Sequence, residues 1–230
     1  MSTYFQVLAS CIIIPLIFSF HNQIQFYKKW SEFFKANIIV TIPFLIWDEL
    51  FTRSGIWGFN EEHLAGIYLF NLPIEEILFF IIIPYCCVFT YEVFLKLSLK
   101  NNYAIQLLTL FIGVAILLLG ILSYTKMYTT VTFISLGILL IVLFYQKSNF
   151  ISSFYLTYIV ITASFFIIVN GILTGGTLEN PPVWYNNAEI LNIRFWTIPI
   201  EDFFYSMLLL LSNIWLFEIF KSKSAIERIN

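Results

Sequence analysis

The sequence predicts an all-α, polytopic membrane helical bundle of about seven transmembrane helices, built as two parallel three-helix repeats joined by a linker helix. Three observations predict it. The composition is 60% apolar and 20% aromatic with only 11% charged residues, where a soluble domain carries about 25%. Runs of about 20 apolar residues, the length that crosses a hydrocarbon layer of about 30 Å, recur about seven times. The second half of the chain also repeats the first.

The spans are expected at 3–20, 34–51, 73–95, 103–122, 128–145, 150–173 and 197–220. The first lacks a basic n-region and a small-residue cleavage site, so it is expected to be a retained helix and not a removed signal peptide. The connecting loops are too short for another domain. Alternate loops divide the twelve basic residues into a set of nine (Lys28, Lys29, Lys35, Lys96, Lys100, Lys147, Lys221, Lys223, Arg228) and a set of three (Arg53, Lys126, Arg194). Lys and Arg accumulate in loops that stay in the cytoplasm. The nine are therefore expected on the cytoplasmic side of a cell (plasma or inner) membrane, with the N-terminus outside and the C-terminus inside. A net charge of −2 gives no reason to expect a nucleic-acid partner.

An offset of 126 positions superimposes much of the two halves without a gap. Asn60 falls on Asn186, Ile67 on Ile193, Pro73-Ile74-Glu75-Glu76 on Pro199-Ile200-Glu201-Asp202, and Tyr91-Glu92-Val93-Phe94 on Phe217-Glu218-Ile219-Phe220. A slightly different offset brings Asp48 and Thr52 onto Asn170 and Thr174. A three-helix unit ends on the opposite side of the membrane from where it began, so two units joined directly would be inverted. The fourth span carries no charge and has no counterpart in either copy, which suits a linker that returns the chain. The expected organisation is a first repeat over 1–100, a linker over 101–124 and a second repeat over 125–230.

Glu75 and Glu92 lie about 25 Å apart along a helix and must approach opposite faces of the bilayer, as must Glu201 and Glu218. Glu92 and Glu218, with Lys96 and Lys221 nearby, read as interfacial ion pairs. Taken alone, either Pro-Ile-acid-acid motif reads as a helix start, since proline suits the first helical position and acids in the first turn complement the helix dipole. Its duplication, with Asp48 and Asn170 arriving at the same level and mostly apolar segments (64–72 and 190–198) beside it, favours a covered site. Carboxyls within a bilayer are functional candidates by default. Burial disfavours the anion and a second carboxylate disfavours it further, so a neutral acid is expected beside an ionised one, a pair able to give a proton and take one back.

Asn60 and Asn186 either shape turns or shape the site. Most Trp and Tyr residues serve as interface anchors or packing. Trp47, Trp57, Trp184 and Trp196 flank the acids, where aromatic faces stabilise a cation by about 0.5 to 2 kcal/mol. Cys11, Cys86 and Cys87 lack metal-ligand spacing and read as core residues; His21 and His63 read as loop or interface residues. No dinucleotide fingerprint, Walker loop, histidine cluster or paired Asp-rich motif is present, so no cofactor and no metal are expected. Acid-base work on something hydrophobic, or proton movement, remains.

The duplicated Pro-Ile-Glu-Glu and Pro-Ile-Glu-Asp, preceded by Trp47-Asp48 and Gly55-Ile56-Trp57-Gly58-Phe59-Asn60, resemble the membrane-type lycopene cyclases over nearly the whole chain. These are cofactor-free enzymes found as two small subunits or one fused domain. The second copy departs from the pattern with Asp202 for the last Glu and Asn170 where the first copy has Asp48. The resemblance implies proton-initiated cyclisation of the linear ends of lycopene to β-ionone-type rings, an isomerisation without redox change. A protonated carboxyl among Glu75, Glu76, Glu201 and Asp202 would be the acid. An ionised neighbour, with Asp48, would stabilise the cation and accept the final proton. Asn170 would orient one of them, while Trp47, Trp57, Trp184 and Trp196, with Asn60 and Asn186, would line the substrate. The implied partners are lycopene or a related linear carotenoid, membrane lipid, and other carotenoid enzymes. Two other functions stay open on sequence alone: a proton-coupled carrier or channel, and a related hydratase that adds water to the end group.

Overall fold

Long apolar runs in lipid can satisfy their backbone polar groups only within themselves, which makes helices of them. In the computed structural model, which describes residues 2–97 and 103–227, seven helices are found among the described residues. They are α1 (Thr3–Phe18), α2 (Trp30–Arg53), α3 (Ile74–Leu95), α4 (Tyr103–Leu122), α5 (Met127–Tyr145), α6 (Ile151–Leu173) and α7 (Ile200–Glu227). All but α1 and α2 are long and apolar enough to cross a membrane. At 24 residues α2 has the length but carries Glu32, Lys35, Asp48 and Glu49, and α1 has 16 residues. The chain is an all-α, multi-pass membrane protein. Lys100 and Arg228, two of the nine residues expected to face the cytoplasm, lie outside the described residues.

The helices match the expected spans within a few residues at every end but the last, where α7 runs on to Glu227, seven residues past the expected 220. A 3-10 turn at Phe26–Lys29 leads directly into α2, which therefore begins earlier than expected. The last helix starts later, at Ile200, because Ile198–Pro199 is extended and paired.

Three antiparallel strand pairs occupy the loops among the described residues: β1 (Trp57–Phe59) with β4 (Val183–Tyr185), β2 (Tyr68–Leu69) with β3 (Leu72–Pro73), and β5 (Arg194–Phe195) with β6 (Ile198–Pro199). The last two are tight hairpins related by the sequence offset of 126. Phe70 and Trp196 begin their turns with left-handed backbone at φ 56° and 58°. Each hairpin then delivers a proline, Pro73 or Pro199, to the start of an acidic helix.

By its internal contacts the chain divides into two units. One is Met1–Leu50, Glu61–Ser98 and Leu209–Asn230; the other is Phe51–Asn60 and Leu99–Leu208.

In the first unit the helix prolines decide where polar side chains are needed. Pro84 has no N–H for the Phe80 carbonyl, an orphan that a bilayer penalises. That carbonyl accepts from Asn37 Nδ2 at 2.9 Å and Thr41 Oγ1 at 3.1 Å. Asn37 also donates to Asn213 Oδ1 at 3.1 Å, and all three side chains are buried. Pro15 orphans the Cys11 carbonyl in the same way, and the Cys86 thiol donates to it at 3.4 Å. Outward, Ile38, Ile42, Ile46 and Leu50 form an exposed apolar stripe on α2, fitting a lipid-facing surface.

In the second unit α4 and α5 approach closely through glycines. A Cβ on Gly137 would sit 2.8 Å from the Gly113 carbonyl oxygen and from the Leu117 nitrogen, and one on Gly120 would sit 2.9 Å from the Ile134 nitrogen. Small residues at such a seam let helix backbones pack tightly in lipid. The sequence Thr162–Phe166 makes a π turn within α6, a bulge that re-aims the residues after it. Asn170 stands in the following segment, Ile167–Leu173.

Candidate functional site

Each unit holds one of the duplicated acid pairs in the first turn of a helix, where the free N–H groups and the dipole favour negative charge. Burial is deep. Glu75 and Glu201 are 0% exposed, and Glu76 and Asp202 are buried as well.

In the first unit, Glu75 Oε1 accepts from Ser2 Oγ at 2.6 Å and from the Ala65 amide at 2.7 Å. Glu76 Oε2 accepts from the Tyr4 hydroxyl. Ser2 also caps α1 through the Phe5 amide, so one hydroxyl both starts the helix and holds the acid. Asp48 is buried near the end of α2, and Trp47 packs on Phe44 with ring centroids 5.6 Å apart. His63, a loop residue, lies 3.1 Å from the Thr3 hydroxyl.

The second unit repeats this local geometry. Glu201 Oε1 accepts from Thr129 Oγ1 at 2.6 Å and from the Leu191 amide at 2.7 Å. Asp202 Oδ1 accepts from the Tyr128 hydroxyl at 2.7 Å, while Oδ2 accepts from Asn170 Nδ2 at 2.7 Å and the Tyr185 hydroxyl at 2.8 Å. Hydrogen bonds to a charged group contribute about 1.5 to 3 kcal/mol each. Three of them fix this carboxylate firmly.

The short ladder β1–β4 supplies the aromatic wall. Its register sets Trp57 opposite Tyr185 and Gly58 opposite Trp184. The Trp184 indole lies directly over Gly58, so that a Cβ at position 58 would displace it. Trp57 is buried, with ring centroids 4.9 Å from Tyr128 and 6.4 Å from Tyr185, the two tyrosines bonded to Asp202. Phe51 and Tyr205 close the group, at 4.9 Å and 6.1 Å from Trp57. Asn60 and Asn186 bracket the same ladder: the Asn60 amide donates to the Pro182 carbonyl, and the Asn186 amide to that of Ile56. The Asn186 side chain accepts from the Ala188 amide, closing a turn.

Of the four tryptophans expected beside the acids, Trp57 packs against two of their hydrogen-bond donors, Tyr128 and Tyr185. Trp184 is 43% exposed over Gly58, and Trp196 is 55% exposed over Gly171 and Gly176. Glu92 is held by Lys29 and by Lys221 at 2.8 Å, while Glu218 pairs with Lys221 and accepts from the Tyr91 hydroxyl at 3.0 Å. Lys221 thus bridges Glu92 of α3 and Glu218 of its own helix, apart from the acid motifs.

Ser2, Tyr4, Tyr128, Thr129 and Tyr185, with the amides of Ala65 and Leu191, are absent from the sequence-derived set. A signal for some of them existed. An offset of 124, two less than that of the acids, places Tyr4 on Tyr128, each at the second position of its helix with a hydroxyl residue close by.

The chain is similar in sequence to known proteins. A protein of Aspergillus niger named bifunctional lycopene cyclase/phytoene synthase is 35% identical over 72 residues, 30% of this chain and 12% of that protein. A protein of the same name from Leptosphaeria maculans is 29% identical over 97 residues, 42% of this chain and 15% of that protein. The chain thus spans a small part of the length of the curated relatives it matches. No solved structure matches it significantly. The family profile described as lycopene cyclase matches residues 1–94 and 125–220, the segments that contain both acid pairs and their hydroxyl donors. With most of its length matched in this way, the chain belongs to the lycopene cyclase family.

Proposed function

We propose that the chain converts the linear ends of lycopene to β-ionone-type rings without redox change, as an intramolecular lyase or isomerase that takes its substrate from the bilayer. The observation that carries this reading is the buried acid pair in the first turn of α3 and its counterpart in α7, each held by hydroxyl donors, in a chain of this family. An apolar polyene offers no leaving group and no polar handle. Proton addition to its terminal double bond is the step that starts ring closure, and general acid-base groups supply it. A buried carboxylate and aromatic faces such as Trp57 would stabilise the cation that follows.

The reading extends to the whole molecule. Residues 1–100 and 125–230 are proposed as duplicated catalytic repeats with 101–124 as linker, and Asp48, Trp47, Asn60, Asn186, Trp184 and Trp196 as residues that shape the substrate's surroundings. The basic residues favour a plasma or inner membrane with the N-terminus outside. Lipid covers the exposed apolar faces, and other carotenoid enzymes in the same bilayer supply the substrate.

The test is to express the chain in cells that accumulate lycopene and to analyse the pigments. Ring-bearing products of unchanged mass are expected. Unchanged lycopene beside well-inserted protein overturns the proposal, and a hydroxylated product identifies water addition instead.

A further inference from the structure

The two acids of each motif are held in opposite ways. Oε1 of Glu75 and of Glu201 accepts two hydrogen bonds, from a hydroxyl and a backbone amide, whereas Oε2 of each is buried with no hydrogen-bond partner among the described residues. The second acid is met by phenol. Glu76 Oε2 accepts from Tyr4, and Asp202 accepts on both oxygens, from Tyr128, Tyr185 and Asn170.

From this asymmetry we infer a division of labour that rests on the cyclase reading: Glu75 and Glu201 carry the proton on Oε2, and Glu76 and Asp202 are the standing carboxylates. A neutral carboxylic acid has one carbonyl oxygen that accepts and one hydroxyl that donates. That is the pattern around the first acids, with two donors on Oε1 and Oε2 buried without a partner among the described residues. An anionic oxygen in that bare, buried position would be costly. A carboxylate accepts on both oxygens and is strengthened by every donor aimed at it. Asp202, with three donors on two oxygens, has that pattern.

The step balances without a co-reactant. The O–H bond at Oε2 of the first acid breaks, and its proton forms a C–H bond with the terminal double bond of the polyene. The next π pair closes the ring C–C bond onto the resulting cation. The ring cation then returns a proton to Oε2, which restores both the alkene and the neutral acid. The second acid stays charged throughout and offsets the positive charge.

Infrared spectra of the purified full chain in lipid test the assignment, because a protonated carboxyl has a C=O band separate from that of a carboxylate. Glu75→Gln and Glu201→Gln are each expected to remove part of that band, while Glu76→Gln and Asp202→Asn leave it in place. Band loss in Glu76→Gln or Asp202→Asn, or its retention in Glu75→Gln and Glu201→Gln, overturns the division. Thr129→Val provides a milder check. By removing one donor from the Glu201 carbonyl it is expected to shift the band without abolishing it, and an unmoved band counts against the assignment. The amide bands of the same spectra report whether each variant is folded. The wild-type chain is assayed on lycopene in parallel. Absence of cyclisation there sinks the cyclase reading itself, whereas a cyclising chain with the wrong band pattern sinks only the division.

Discussion

The Tyr128 hydroxyl donates to Asp202 Oδ1 at 2.7 Å, joining the first turn of α5 to the first turn of α7 across 74 positions of sequence. The same phenol ring is held by its aromatic neighbours, stacking against Tyr185 at 5.9 Å and meeting Trp57 edge to face. Tyr128→Phe keeps the ring packing and deletes one donor to a charged group. Cyclisation in lycopene-accumulating cells is expected to fall about tenfold, the factor that corresponds to a charged hydrogen bond of about 1.5 kcal/mol. An unchanged rate from equal amounts of protein would remove Tyr128 from the site.

Asn37→Leu strips the Phe80 carbonyl of one donor and leaves Asn213 Oδ1 without that partner. A loss of about 1 to 3 kcal/mol is expected in reversible unfolding from detergent, the cost of leaving buried polar groups unmet. Because Thr41 still donates to the same carbonyl, Asn37→Leu with Thr41→Val should lose more than either change alone.

At the seam of α4 and α5, Gly137→Ala places a methyl where backbone atoms of the neighbouring helix already stand at 2.8 Å. Overpacking of this kind costs about 1 to 3 kcal/mol. The expected result is a lower midpoint in thermal unfolding. Gly66→Ala, in open space but at φ +78°, serves as a control that probes backbone strain without packing.

Glu92→Gln removes the charge that Lys29 and Lys221 share. With Lys221 still bonded to Glu218, the variant is expected to lose stability and yield. The rate per molecule of folded protein should stay near wild type, which pigment yield normalised to membrane-inserted protein will check. A selective loss of rate would bring Glu92 into the chemistry.

Much of the fold was legible in the sequence because hydropathy is a local quantity. A run such as Tyr103–Leu122 needs no partner to declare itself a helix, and the recurrence of Pro-Ile-acid-acid at one offset revealed the duplication. The short strand pairs were not legible, since pairs and triplets such as Tyr68–Leu69 and Trp57–Phe59 are too brief to show a period of two. In the site, Asn170 could be placed because it aligns with Asp48. Tyr128 was harder to place: its alignment with Tyr4 runs at an offset two less than that of the acids, and a tyrosine near a membrane surface looks the same whether it anchors in the interface or bonds an acid.

The sequence by itself determined the apolar spans, the paired acids and their position in the first turn of two helices, all of which follow from composition and spacing along one segment. Only the tertiary structure decided how those acids are held. It gave Oε1 of Glu75 and Glu201 two donors and left Oε2 bare among the described residues, and it drew Tyr128, Tyr185 and Asn170 onto Asp202. A hydrogen bond depends on a few ångströms of separation and on direction, and both are set by helices that meet only after the chain has packed.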